Sequence, residues 1–129
     1  LTENEEFENR HGLIQKNSIV ICYTGWSQYW HEPVRYRNNL IFPSVSKEAA
    51  ALLLERGIAA VGIDTLSPDR AEDHFPVHQM FLSADKFIIE NLCHAELLPP
   101  IGSYIFALPI KIQNGSEAPV RLIALIPTL

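Results

Sequence analysis

Residues 57–92, GIAAVGIDTLSPDRAEDHFPVHQMFLSADKFIIENL, decide how this chain folds. The apolar run from Ile58 to Ile63 is what a strand covered on both faces requires, and it stops at Asp64-Thr65. A polar loop with Ser67-Pro68-Asp69 follows, and Glu72, Asp73 and His74 are expected in solvent. Phe75-Pro76 opens a short helix carrying His78, which three- and four-residue spacing places on one face with Phe81 and Leu82. A second strand is predicted over Lys86–Leu92, with Ile88, Glu90 and Leu92 pointing one way and Ile89 and Asn91 the other. A carboxylate in such a run needs a partner, because burying an unpaired charge is prohibitive. A metal ion shared with His78, twelve residues upstream of Glu90, is one such partner. On the residues alone the plainer readings stay open: a solvated or Lys/Arg-paired Glu90, and a surface or hydrogen-bonded His78.

Upstream, Ser46 caps a helix over Lys47–Arg56, with Glu48 in its first turn, Arg56 in its last and Gly57 as its stop. Ala49, Leu52, Leu53 and Arg56 follow helical spacing, so one face packs on a sheet. Asp64 then lies at a strand end, where α/β sheets present function, and reads as a turn or cap residue. Ser18–Tyr23 is another buried strand, running into Thr24-Gly25-Trp26-Ser27 and Gln28-Tyr29-Trp30. Aromatic residues there either cap the core or line a pocket. Residues 31–44 read as loop, with His31 at the surface and Leu40-Ile41-Phe42 as a short strand or a hydrophobic plug. The acidic segment Thr2–Arg10 suits a helix capped by Thr2. Downstream, Cys93–Pro100 is a connector. Gly102–Ile112, interrupted by Pro109, and Pro119–Ile126 form a terminal antiparallel hairpin around the turn Gln113–Ser116.

The totals narrow the classes. A chain of 129 residues, 47% hydrophobic and 19% charged, can build one domain with a real core. A net charge of −5 leaves no footprint for a nucleic-acid surface. No apolar run reaches the length of a membrane span, and no signal peptide is visible. Cys22 and Cys93 make no metal motif and read as reduced and buried, which leans towards a cytoplasmic location. The first residue is Leu1 rather than Met, as in a fragment, a processed product or a chain with a longer start.

The wording GIDT-x-S-x-D from Gly62, H-x-x-FL from His78 and I-x-ENL from Ile88 resembles the C-terminal half of the cyclase family of metal-dependent hydrolases. That family includes kynurenine formamidase (arylformamidase) and isatin hydrolase. Thr24-Gly25-Trp26-Ser27 is similar to a motif that ends a strand beside the family's active-site cleft. The resemblance implies a mixed α/β sheet flanked by helices, of the swivelling β/β/α type and incomplete here, with residues 1–129 as one domain. It makes His78 and Glu90 ligands of a divalent metal, zinc or manganese, and turns Trp26 towards the substrate. It places Asp64 near the active site, organising the loop, and makes His94 and Glu96 structural. It implies hydrolysis of a formamide or similar amide or lactam carbonyl, in a small-molecule substrate, by a metal-activated water. The family's remaining ligands and its acid/base His come from a motif H-G-T-H-x-D-x-P-x-H, which this sequence does not contain.

Three readings follow: part of a metal-dependent hydrolase; a truncated, non-catalytic relative serving as a binding or dimerisation module; and an unrelated α/β domain. Half of a family domain would expose sheet edges and apolar faces, so a homo-oligomer or a longer polypeptide is expected. Neither nucleic acid nor membrane is expected as a partner.

Overall fold

The computed structural model describes residues 3–127. They fall into two compact units, the first ending at Glu96 and the second beginning at Leu97. The expected class holds, with helices, a parallel sheet and an antiparallel one. Thr2, the expected first cap, lies outside the described residues.

In the first unit the helices are α1 (Glu3–His11), α2 (Pro33–Arg37), α3 (Lys47–Glu55) and α4 (Pro76–Ser83). Strands β1 (Ile19–Cys22), β2 (Ala60–Ile63) and β3 (Phe87–Ile89) form a parallel sheet in that order. Parallel neighbours need crossovers, and α3 and α4 lie in the two crossovers here. Ser46 caps α3 as expected, its Oγ accepting from the Ala49 N–H at 3.1 Å. Gly57 ends it at φ +70°, in the left-handed region. Of the expected Ala49, Leu52, Leu53 and Arg56, Leu53 is buried, and its buried companion is Ala50 rather than Ala49.

Ala50, Leu53, Ile58, Val61, Val77 and Phe81 form the core, so α3 and α4 pack over one face of the sheet. Val20, Val61 and Ile88 are register partners and line that face. On the other face a Cβ on Gly62 would come within 2.8 Å of Leu92 Cδ1. The missing side chain therefore seats Leu92 against the central strand.

Several expectations need correction. β3 ends at Ile89, and Asn91 at φ +58° reverses the chain, carrying Leu92 to the Gly62 face and away from Glu90. Only Phe81, not the exposed Leu82, joins the core beside His78. Residues 31–44 are not plain loop: Pro33 starts α2, and Tyr36 and Phe42 are each only 5% exposed. Phe42 is the plug, whereas Leu40 and Ile41 face solvent. Both cysteines are free, but Cys93 is exposed. Burial, helped by the negative charges of Glu3 and Asp64, pushes the Cys22 thiol up to about 11, leaving it inert.

The second unit holds β4 (Tyr104–Pro109) and β5 (Val120–Leu125), an antiparallel pair with Tyr104 opposite Leu125 and Pro109 opposite Val120. Pro109 ends β4 rather than interrupting a longer strand. Tyr104, Phe106 and Leu108 are exposed and alternate with the better-covered Ile105 and Ala107. Among the described residues no helix is long and apolar enough to cross a membrane.

α1 is held to the end of α3 by a forked ion pair, Arg56 Nε and Nη2 donating to the Glu8 carboxylate at 2.7 and 2.9 Å. The Arg56 side chain and the Ile14 N–H hold the Glu8 carboxyl at about 2, below its ordinary 4.5. Its contribution is therefore complete above pH 4.5 and lost as pH falls towards 2. Glu8→Gln is expected to be less stable than the parent at neutral pH, the gap closing as both are acidified through that window. Chemical denaturation across pH measures it.

Candidate metal centre

All three parallel strands end at one edge of the sheet, the edge at which open α/β sheets bind ligands. β2 leads there into Asp64 and the loop to Asp69, β3 into Glu90, and β1 into Thr24–Ser27.

Asp69 is 2% exposed and organises the entry to α4. One carboxylate oxygen, Oδ1, accepts from the Val77 N–H at 2.8 Å. The other, Oδ2, accepts from the His78 N–H at 2.8 Å and meets His78 Nδ1 at the same distance. The first amides of a helix lack intrahelical partners, and Asp69 supplies them from outside the helix. His74 and Phe75 precede α4 at φ +59° and +58°, a left-handed pair of non-glycine residues that aims those amides at Asp69. Within the loop, Ser67 Oγ accepts from the Asp69 N–H at 3.1 Å, and Thr65 Oγ1 donates to the Ser67 carbonyl at 2.8 Å.

His78 presents its second ring nitrogen to Glu90, with Nε2 3.5 Å from Oε1. Ile88 faces the α4 side of the sheet, and two residues on Glu90 points the same way, as the strand period requires. The two side chains are about one-third exposed, at 31% and 30%. Their chemistry fits a divalent cation. Imidazole nitrogen and carboxylate oxygen suit zinc or manganese, and two such donors around a tetrahedral ion sit about 3.4 Å apart. Among the described residues no third His, Cys, Asp or Glu joins them as a ligand group.

Asp64 anchors the β1 loop. Its Oδ1 accepts from the Thr24 N–H at 2.9 Å and Thr24 Oγ1 at 2.7 Å, and its Oδ2 from the Ser27 N–H at 3.2 Å. Tyr36 Oη donates towards the Asp64 carbonyl and Asn91 Oδ1, at 2.9 and 3.0 Å. Burial, with the charges of Asp64, Glu90 and Cys93 behind it, pushes that phenol up to about 12, so it remains a neutral donor. The half-buried Trp26 donates its indole N–H to the Tyr36 carbonyl at 2.9 Å and meets Tyr29 edge-on at 5.1 Å. Only its ring surface is left for a ligand. Glu72, Asp73 and His74 are exposed as expected, as is His31. His94 Nδ1 lies 3.5 Å from Glu96 Oε1 near the surface.

Sequence reasoning passed over Asp69 and Tyr36. The signal for Asp69 was present: an Asp in a Ser-Pro-Asp turn, seven residues before a helix opened by Pro76, is an acceptor in search of amides. Tyr36 carried none, because it sits in a stretch of mixed charge and amide residues.

A parallel sheet with helices in its crossovers, and loops gathered where its strands end, define a protein of the α/β class. A family profile described as "Putative cyclase" matches residues 2–70, and the chain belongs to that family. It is 36% identical over 84 residues to a kynurenine formamidase from Polaromonas naphthalenivorans, covering 64% of this chain and 37% of the relative. The structure of isatin hydrolase A from Ralstonia solanacearum superposes with a TM-score of 0.90 at 28% identity, over 95% of this chain and 51% of that one. A structure described as a potential metal-dependent hydrolase with cyclase activity gives 0.70 at 30% identity, over 84% and 51%. The chain thus spans about half the length of these two structures and less of the formamidase.

Asp64→Ala strips the Thr24 and Ser27 amides of their acceptor. A loss of about 1–3 kcal/mol is expected in denaturant titration, together with faster exchange of the Trp26 indole proton.

Proposed function

We propose that this chain contributes two ligands, His78 and Glu90, to the divalent-metal centre of a hydrolase that opens an amide carbonyl. The carrying observation is the approach of His78 Nε2 and Glu90 Oε1 to 3.5 Å at the sheet edge while Asp69 occupies Nδ1. When bound, a zinc or manganese ion supplies Lewis acidity, easing deprotonation of water and polarising a carbonyl oxygen. Glu90 offers charge, and His78 offers a nitrogen whose position α4 and Asp69 fix. Two donors fall short of the three protein ligands of a catalytic zinc site. The others, and the group that moves the proton, belong on this reading to the part of the family fold beyond this chain's span.

A small molecule with a formamide, amide or lactam group is the substrate class this reading favours, since the relatives' names specify isatin and a formamide. The ring face of Trp26 is proposed to flank it. The free thiols suit a reducing, cytoplasmic setting.

A second reading, a non-catalytic docking or dimerisation module, is favoured by the exposed Tyr104, Phe106, Leu108 and Ile110 along the hairpin. Both readings carry the proposal that copies of this chain associate. Light scattering should return more than one chain mass, and a monomer at all concentrations would refute association. Calorimetric titration with zinc or manganese separates the two functions. On the hydrolase reading the parent chain binds one equivalent, and His78→Ala or Glu90→Ala weakens binding by at least tenfold. Equal affinity in parent and variants would reject the metal centre.

A further inference from the structure

We infer that Asp69 is a positioning residue which fixes the tautomer of His78, so that helix capping and metal competence depend on one carboxylate. This rests on the metal centre proposed above but is carried by separate geometry.

The hydrogen-bond inventory of Asp69 leaves little choice. Its side chain is 1% exposed, so solvent supplies almost none of its partners. Oδ1 faces the Val77 N–H and Oδ2 the His78 N–H, both at 2.8 Å, and backbone amides only donate. With donors facing each oxygen, the carboxylate acts as acceptor throughout. The proton between Oδ2 and His78 Nδ1 at 2.8 Å therefore sits on nitrogen. In a neutral ring that assignment leaves the lone pair on Nε2, the atom facing Glu90 Oε1. A lone pair and a carboxylate oxygen 3.5 Å apart repel each other, and a cation between them turns the repulsion into coordination.

The same carboxylate holds the ring in place. Asp69 binds the main chain of His78 as well as its side chain, so the imidazole cannot turn without losing a bond to a buried charge. β2 and the loop after it set Asp69, the cap sets the start of α4, and the ring nitrogen sets the lone pair.

Asp69→Asn isolates the effect because it hardly changes volume. With its amide nitrogen towards His78, the amide meets the His78 N–H donor against donor, donates to Nδ1 and drives the proton to Nε2, which then donates to Glu90. With its oxygen towards His78, the amide nitrogen faces the Val77 N–H instead, donor against donor.

The direct test is nitrogen-15 NMR of the histidine-labelled chain without metal at about pH 8, where an ordinary neutral histidine carries a single ring proton. His78 is assigned by its loss in His78→Gln. The inference requires protonated Nδ1 and bare Nε2 in the parent. Protonated Nε2, an averaged mixture of tautomers, or protons on both nitrogens would overturn it. This readout needs no Asp69 variant and no bound metal, so it stands or falls apart from the metal centre. A fixed Nδ1–H tautomer in a chain that binds no zinc would sink the proposed function and spare the inference. Where Asp69→Asn folds, its zinc affinity should fall by about ten- to a hundredfold, while Asp64→Asn, on the neighbouring loop, leaves the His78 tautomer unchanged. An unaltered His78 signal and unaltered zinc affinity in Asp69→Asn would overturn the positioning role.

Discussion

The Asp69 carboxylate, almost wholly withdrawn from water, is the constraint around which the sheet edge is arranged. An unpaired buried carboxylate costs several kcal/mol. Hydrogen bonds to a charged group return about 1.5–3 kcal/mol each, and Asp69 collects donors from Val77, His78 and the His78 ring. Each such bond is comparable to the left-handed backbone at His74 or Phe75, at roughly 1–2 kcal/mol per residue. The strained turn is therefore tolerated, because it delivers the first amides of α4 to the acid.

A second constraint sets the other half of the site. Gly62 lacks the side chain that would collide with Leu92, so the chain beyond β3 can fold back over the sheet. Asn91 supplies the left-handed residue for that reversal, and its side chain is held by Tyr36. Glu90 is the last residue before the reversal and so keeps the orientation of Ile88, towards α4. Asp64 and Asp69 divide the work along the β2 loop, one ordering the Trp26 turn and the other ordering His78.

What the sequence discloses depends on whether the cause is local. Ser46, Gly57, the apolar run of β2, Asp64 at its end and the helix opened by Pro76 were legible because each acts through its own neighbours. The convergence of His78 and Glu90 was legible from strand alternation together with resemblance to the cyclase family. The fate of Leu92 was not, since it turns on one positive φ and on a gap in a strand thirty residues earlier. Tyr36 was hidden among charged and amide residues, and its burial depends on pairing with a distant residue. Asp69 stood in plain view but reads as a turn residue until its partners, eight and nine positions away, are known.

One electrostatic problem at the sheet edge has two ways of being relieved. His78 and Glu90 are either a direct, partly solvated ion pair, of the kind worth little on a surface, or two donors awaiting a cation. Anomalous diffraction from crystals of this chain grown with zinc distinguishes them most directly. A shared cation requires a peak about 2.0–2.2 Å from both His78 Nε2 and a Glu90 carboxylate oxygen. Zinc bound elsewhere, with His78 and Glu90 still in contact and no density between them, would contradict it.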